Sequence, residues 1–180
     1  VEDMTAPYYV TACPDNLSVD NDPGLDGAVL VPGVDFIPPV FGENCSTPMT
    51  SGNDLPGENF FPVGTTTVNY WASDAAGNLR TCTFLVEVKD IEPPVITILG
   101  DNPATVNVGA TYTDAGATAW DNVDGDLTAE IIVSGSVDTS VEGVYFITYS
   151  VTDNAGNTAT KVRTVNVLGG GSVSGTYKYL

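Results

Sequence analysis

The sequence predicts an all-β protein built as two tandem β-sandwiches. Short runs rich in Val, Ile, Thr and Tyr alternate between apolar and polar residues and are bounded by Gly, Pro, Asn and Asp, which is typical of strands joined by turns. No stretch of a dozen residues shows the 3.6-residue apolar period of a helix, so helix content should be minimal. The two halves of the chain also have similar turn residues at corresponding positions, which indicates an internal repeat of one domain type. Many short strands of this kind fold as sandwiches with apolar inner faces.

The repeat is visible at the start and near the end of each half. In both starts an Asp precedes a Pro by four residues, and in both ends an Asp-x-Ala-Gly-Asn turn leads into an alternating strand. The paired features are Asp3 to Pro7 with Asp90 to Pro94, and Asp74 to Asn78 with Asp153 to Asn157. We therefore predict a first domain over residues 1–89 and a second over residues 90–168.

The strand predictions follow the chain in order. They are Thr65 to Tyr70, Thr81 to Val88, Val95 to Leu99, Tyr112 to Trp120, Ile131 to Val133, Val144 to Val151 and Lys161 to Val167. After Leu168 the composition changes to a Gly-rich linker, which behaves as a flexible chain. Residues 169–180 are thus a linker followed by a stub of a further module or a cloning remnant.

The composition excludes several classes of function. The 180 residues include 23 acidic residues, 5 basic residues and no histidine, which gives a formal charge of −18. Without histidine there can be no Ser-His-Asp or Cys-His catalytic unit and no histidine-ligated zinc. Five scattered basic residues are too few for counterion release, so nucleic acid is not an expected partner. Because only 16% of the residues are charged and 42% are hydrophobic, the chain should fold.

The chain reads as a piece of a larger extracellular protein. No window reaches the ~18 to 20 apolar residues of a membrane span, so membrane insertion is not expected. The segment Val1 to Met4 lacks the basic and apolar regions of a signal peptide. The three cysteines all lie in the first half, which suggests one disulfide and an odd thiol in an oxidising compartment.

Two sets of motifs carry family resemblances. The first set is Ala12 to Leu17, Asp22 to Gly24, Phe61 to Val68, and Asp74 to Asn78 running into Thr81 to Phe84. Through it the first half resembles the hyalin repeat, the HYR family of extracellular modules. The second set is Pro93 to Ile96, Val108 to Tyr112, Asp121 to Thr128, Gly143 to Tyr145 and Asp153 to Asn157. Through it the second half resembles the bacterial immunoglobulin-like modules of surface proteins and secreted hydrolases. Both resemblances imply immunoglobulin-like sandwiches, and neither specifies a ligand.

The resemblance also bears on the cysteines. Hyalin repeats often carry a cysteine after Asp-Pro-Gly, but here that stretch reads Leu25 to Gly27, so Cys45 lacks this partner. Cys13 opens the first strand and Cys82 the last, and these strands can run parallel and side by side in an immunoglobulin-like sandwich. The resemblance thus implies a Cys13–Cys82 disulfide with Cys45 free, and a Cys13–Cys45 disulfide is the alternative.

Carboxylates of the second domain converge if the sandwich forms. The segment leading into the domain and the loops after its second and sixth strands meet at one end of such a fold. They supply Asp90, Glu92, Asp121, Asp124, Asp126, Asp153 and Asn157. Calcium takes 6 to 8 hard oxygen ligands in irregular geometry, so we expect an interdomain calcium site here. The alternative is metal-free turn chemistry, in which Asp and Asn bond nearby backbone amides. The equivalent set of the first domain is thinner and favours turn structure: Asp3, Glu43 with Asn44, Asp74 and Asn78.

The expected function is non-catalytic. The carboxylates lie in turn motifs repeated in both halves, and a slim sandwich lacks the deep groove that a catalytic pair needs. We predict a spacer or adhesion segment of a secreted or cell-surface protein, whose partners are other domains of the same polypeptide and a cell-surface protein or polysaccharide. The alternative is a carbohydrate-binding accessory module of a polysaccharide-degrading enzyme. Trp71, which alternation points outward, and Trp120, beside the acidic loop, are its candidate stacking platforms, although either ring could simply cover strand edges.

Overall fold

The computed structural model describes residues 3–43 and 49–170. The chain forms two compact units, Val1–Glu92 and Pro93–Leu180. The sequence puts the division at residue 89 or 90, and the structure puts it after Glu92. Cys45, Asn44 and the segment 171–180 lie outside the described residues. Within the described ranges no α-helix forms, and two single 3-10 turns occur at Gly57–Asn59 and Thr128–Glu130. None of these helical turns could span a membrane.

The first unit is an all-β sandwich organised around one long hairpin. Its strands are β1 (Tyr8–Thr11), β2 (Leu17–Asp20), β3 (Gly27–Val29), β4 (Val40–Gly42), β5 (Thr50–Asn53), β6 (Phe60–Pro62), β7 (Gly64–Ser73) and β8 (Leu79–Lys89). One sheet has the order β2-β8-β7-β5, and β1-β4 and β3-β6 form two further pairs. Strands β7 and β8 are antiparallel, whereas β2 runs parallel to β8. The parallel neighbour is the arrangement that the family resemblance implied.

Period-2 alternation fills the core of the first unit. On β7, Val68, Tyr70 and Ala72 are buried, and the intervening Trp71 is 40% exposed, as the sequence predicted. Every second residue of β8 from Cys82 to Val88 is buried in the same way. Burying such a Val or Phe side chain contributes about 1.5–3 kcal/mol, so this hairpin supplies much of the core's stabilisation.

The second unit repeats this plan. Its strands are β9 (Val95–Ile98), β10 (Ala104–Asn107), β11 (Ala117–Asp121), β12 (Gly125–Asp126), β13 (Ile132–Ser134), β14 (Gly143–Thr152) and β15 (Thr158–Leu168). They form two sheets, β10-β15-β14-β13 and β12-β11-β9. The long antiparallel hairpin β14–β15 again has a parallel neighbour, β10. The internal repeat read from the sequence is therefore also a repeat of topology.

Two strand predictions were wrong in detail. The strand predicted from Tyr112 begins only at Ala117, because Asp114 accepts hydrogen bonds from the Tyr112 hydroxyl and the Gly116 N–H and makes the preceding segment a turn. Gly116 has φ +79°, which suits a turn and not a strand. Cys13 does not open a strand but lies between β1 and β2, where Pro14 has no N–H to offer a ladder.

Candidate functional site

Asp121 is the most buried carboxylate of the described residues. It ends β11, and 2% of its surface is exposed. Its Oδ1 accepts hydrogen bonds from the backbone N–H groups of Val123 (2.8 Å) and Asp124 (2.9 Å). Its Oδ2 is buried and accepts no hydrogen bond. A buried acceptor without a donor costs about 1–3 kcal/mol and more when charged, so this oxygen marks a place for a positive partner.

A second buried carboxylate from another loop lies beside it. Asp153 follows β14, and 7% of its surface is exposed. Asn157 orients it, because its backbone N–H donates to Oδ1 (2.7 Å) and its side-chain amide donates to Oδ2 (2.9 Å). Carboxylate oxygens of Asp121 and Asp153 lie within 4.8 Å of each other. Two of the three predicted segments are thus brought together inside the second unit.

The other acidic residues of these loops are engaged in turns. Both oxygens of Asp124 accept hydrogen bonds from Asn154, at 2.7 Å from its backbone N–H and 2.8 Å from its side-chain amide. This pair ties the loop after β11 to the loop after β14. Asp126 accepts a hydrogen bond from the Thr128 backbone at 3.0 Å, and bonds from the Thr128 side chain and backbone lower the pKa of Asp126. The turn chemistry weighed as an alternative is therefore present at these two residues.

The remaining predicted residues belong to the end of the first unit. The Asp90 side chain accepts a hydrogen bond from the Glu92 N–H (3.1 Å), and Glu92 accepts one from the Gly24 N–H (2.7 Å). The Ile91 N–H donates to the buried side chain of Asn21 (3.1 Å). These bonds hold the segment that leads into the second domain against the loop after β2.

Three carboxylates of the equivalent set in the first unit also lie close together. Carboxylate oxygens of Asp3, Glu43 and Asp74 lie within 4.8 Å of one another. The predicted turn bonds are also present, since Asn78 donates to both oxygens of Asp74 at 2.8 Å. The side-chain hydrogen bond from Asn78 is the main cause of a lowered pKa at Asp74. The Asn78 amide also reaches the Asp3 carbonyl (3.1 Å), so this cluster and its turn form one structure.

A buried arginine is the polar feature that sequence reasoning missed. Arg163 on β15 is 1% exposed, and its Nε lies 2.8 Å from Asp114 Oδ1. Besides this ion pair, its guanidinium donates hydrogen bonds to four oxygens, those of the Tyr149 hydroxyl and the carbonyls of Leu99, Asp101 and Gly116. Burial lowers the pKa of Arg163, but the hydrogen bond with Tyr149 and the nearby negative charges outweigh it and raise the pKa on balance. Its position could have been found from the sequence, because Arg163 has the same phase as the inward Val165 and Val167.

The two tryptophans lie on different units. The indole of Trp71 lies close over Gly52 of the neighbouring strand β5, where a Cβ would come within 2.7 Å of the ring. Trp120 is 63% exposed on β11. Neither unit therefore presents a row of exposed indole rings within its described residues.

The predicted disulfide is present. Cys13 and Cys82 are bonded across a sequence separation of 69, with their Cα atoms 5.5 Å apart. The alternative pairing of Cys13 with Cys45 is therefore wrong.

Each half of the chain matches a known protein family. Residues 2–88 match the family described as HYR domain, and residues 96–167 match the family described as bacterial surface protein, Ig-like domain. The first half of the chain is thus a HYR domain and the second half an Ig-like domain of bacterial surface proteins, which confirms both resemblances and the fold class. Domains of these two families are extracellular adhesion-type modules and are typically non-catalytic.

Several curated proteins match this chain over most of its length. Hyalin of Strongylocentrotus purpuratus is 36% identical over 153 residues, which is 82% of this chain and 12% of that protein. Hyalin of Lytechinus variegatus is 32% identical over 151 residues, which is 81% of this chain and 28% of that protein. The sushi, von Willebrand factor type A, EGF and pentraxin domain-containing protein 1 of Rattus norvegicus is 27% identical over 164 residues, 88% of this chain and 4% of that protein. The chain therefore spans only a small part of the relatives it matches.

Proposed function

We propose that this chain is a non-catalytic spacer or adhesion segment of a larger secreted or cell-surface protein, stiffened by calcium between its two domains. The observation that carries the proposal is the tandem of two adhesion-type modules, each with a closed core of its own. Its partners are then the neighbouring domains of the same polypeptide and a protein or polysaccharide of the cell surface.

The separate hydrophobic cores of the two modules support a spacer role. The first unit has its own cross-link, the Cys13–Cys82 disulfide, and the second has the buried Arg163–Asp114 ion pair. Modules that each complete their own core can be repeated along a chain without loss of stability. The formal charge of −18 favours solubility and disfavours self-association of such an array.

Calcium is the proposed stiffening ion. The proposed ligands come from the seven predicted oxygen-bearing residues, with Asp90 supplied by the segment that leads into the second domain. The nearby carboxylates of Asp121 and Asp153 support this choice. Calcium suits them because it accepts many oxygen ligands at irregular positions, whereas magnesium keeps several waters.

Small-angle X-ray scattering of the full chain tests the stiffening. In millimolar calcium we expect a narrower distribution of particle dimensions than with a chelator, and the variant D90N should lose that difference. A matched variant, D101N, changes an acid outside the predicted set and should keep it. Identical distributions with calcium and chelator would show that calcium does not stiffen the chain.

The adhesion role needs a separate measurement. Beads coated with the chain should bind cells or a polysaccharide matrix more than beads coated with the same chain after denaturation. A chain that binds neither is a spacer only.

A second candidate function is carbohydrate binding at Trp71. The observation that favours it is the indole lying over Gly52, which leaves a partly exposed ring on the outer face of the sheet as a stacking surface for a sugar. Affinity electrophoresis in polysaccharide gels should show retardation that W71A abolishes. The matched change W120A, in the other domain, should not affect it.

A further inference from the structure

We infer that the calcium site is anchored inside the second domain by the carboxylates of Asp121 and Asp153, and that Asp124 and Asp126 are not ligands. This inference rests on the proposed calcium role and deepens it, because it assigns the binding energy to two of the seven predicted residues. It also separates binding of the ion, which these two residues decide, from stiffening of the chain, which needs the preceding segment.

The negative charge of Asp121 and Asp153 is not balanced within the second domain. Asp121 and Asp153 are 2% and 7% exposed, and their carboxylate oxygens approach within 4.8 Å. Buried charges are normally paired or bound to a metal, because an unpaired charge in a low-dielectric interior is unfavourable. Oδ2 of Asp121 is buried and accepts no hydrogen bond, so nothing offsets the free-energy cost of burying this charge. A cation between the two carboxylates removes it.

No described side chain supplies that cation. In the described part of the second unit, Lys161 donates to the Ile96 carbonyl (2.6 Å), and Arg163 is paired with Asp114. Neither Asp121 nor Asp153 forms an ion pair with a described side chain. The positive charge that Asp121 and Asp153 require must therefore come from solution.

The two loops that carry Asp121 and Asp153 are already held in place by other hydrogen bonds. Val123 and Asp124 N–H groups fix Asp121, and Asn157 fixes Asp153. The double hydrogen bond between Asp124 and Asn154 joins the two loops. A site whose loops are already fixed loses little conformational entropy when the ion binds.

This geometry divides the roles of the acidic residues. Asp124 uses both oxygens to hold Asn154, so it positions the loops. Asp126 is exposed and accepts a hydrogen bond from the Thr128 N–H, so its role is to end a turn. Carboxylate ligands without nitrogen or sulfur select a hard ion, and calcium fits an irregular set of oxygens better than magnesium.

Isothermal titration calorimetry of the full chain with calcium chloride tests the assignment. Because loss of even an outer-shell partner of a metal site costs 10–100-fold, we expect D121N and D153N each to weaken calcium binding about tenfold or more. The calcium affinity of D126N should stay within about threefold of the wild-type value. D124N should mainly lower the melting temperature, because Asp124 holds the two loops together. Circular dichroism of each variant checks that the β-fold is retained.

Terbium luminescence gives a second readout. Tb³⁺ substitutes for calcium, and excitation of Trp120, which adjoins Asp121 in sequence, should sensitise its emission. D121N should abolish the sensitised emission, and excess calcium should quench it in the wild type.

The outcomes distinguish the two proposals. Unchanged calcium affinity in D121N, or an equal loss in D126N, overturns the assignment of ligands. If D121N does not fold, the wild-type protein provides the test. A wild-type melting temperature that rises no more with calcium than with magnesium would show that the site does not select calcium, and would overturn the inference. If calcium binds as expected but the scattering is the same with calcium and with a chelator, the ligand assignment stands and only the proposed stiffening is overturned.

Discussion

At the scale of the single residue, Arg163 is the centre of a buried polar network. One buried side chain satisfies a carboxylate, a phenol and three backbone carbonyls that come from separate parts of the second domain. Breaking a buried ion pair by removing one partner is strongly destabilising, because the other charge stays buried and unpaired. Its contacts with Asp114 and Gly116 therefore hold the turn before β11 in place.

Replacing Arg163 by methionine tests that role. The change keeps an unbranched apolar stem but leaves Asp114 and the carbonyls without their donor, so we expect a loss of about 3–5 kcal/mol in the free energy of unfolding of the second domain. Urea denaturation followed by circular dichroism measures it. The matched variant R80M removes an exposed arginine that bonds the Pro7 carbonyl and should change stability by less than about 1 kcal/mol. Equal losses in the two variants would contradict the prediction.

Tyr112 predicts an alkaline limit to stability. Burial, followed by the hydrogen bond that Tyr112 donates to Asp114, raises the pKa of Tyr112 to about 12. In the unfolded chain a tyrosine has a pKa near 10, so the folded state holds this proton more tightly. The resulting stabilisation is complete below about pH 10 and is lost as the pH rises toward about 12. Urea midpoints measured across this range should fall more steeply for the wild type than for Y112F, and equal slopes would be evidence against it.

At the scale of the element, each domain relies on a long hairpin and the parallel strand beside it. In the first domain the disulfide adds a covalent link between the segment before β2 and the strand β8. In the second domain the corresponding pairing of β10 with β15 has no disulfide, and Arg163 on β15 donates instead to Leu99 and Asp101, which precede β10. Two different chemistries thus cross-link equivalent strands.

Reduction of the disulfide should affect one domain only. For a loop closed by a sequence separation of 69, chain entropy predicts a loss of about 4 kcal/mol on opening. Differential scanning calorimetry with and without reductant should show a lower melting temperature for the first domain and an unchanged transition for the second. The double variant C13A/C82A should reproduce the effect of the reductant. A shift of the second transition would show that the two domains do not unfold independently.

At the scale of the whole molecule, the excess of carboxylates sets how the chain responds to ions. A formal charge of −18 on 180 residues means that most charged groups repel one another. Salt shortens the range of this repulsion, and bound calcium would neutralise it at one place. The two effects have different concentration dependences.

Salt should therefore stabilise the protein without any specific site. Raising sodium chloride from about 10 mM to about 0.5 M shortens the screening length several-fold. We expect about 1 kcal/mol of stabilisation per domain, or roughly 4–8 °C in melting temperature. Calcium at matched ionic strength should add a further increase that D121N removes. A melting temperature that falls with salt would mean that the native charges attract on balance.

The sequence by itself determined the features that depend on neighbouring residues. The period-2 pattern placed Val68 and Tyr70 inside and Trp71 outside, and the repeated Asp-x-Ala-Gly-Asn turns set the ends of both long hairpins. The family resemblance supplied the pairing of Cys13 with Cys82. These features were accessible because alternation, turn residues and motif spacing are local properties of the chain.

Only the tertiary structure decided which distant polar groups meet. It paired Asp114 with Arg163 in a buried ion pair. It also made the residues from Tyr112 to Gly116, which the sequence predicts as part of a strand, into a turn. It brought Asp121 close to Asp153. Asp124 instead accepts hydrogen bonds from Asn154, and Asp126 accepts one from Thr128. No local pattern separates these four similar acidic residues, because their roles depend on loops about thirty residues apart and on which carboxylate oxygen the fold leaves buried without a donor.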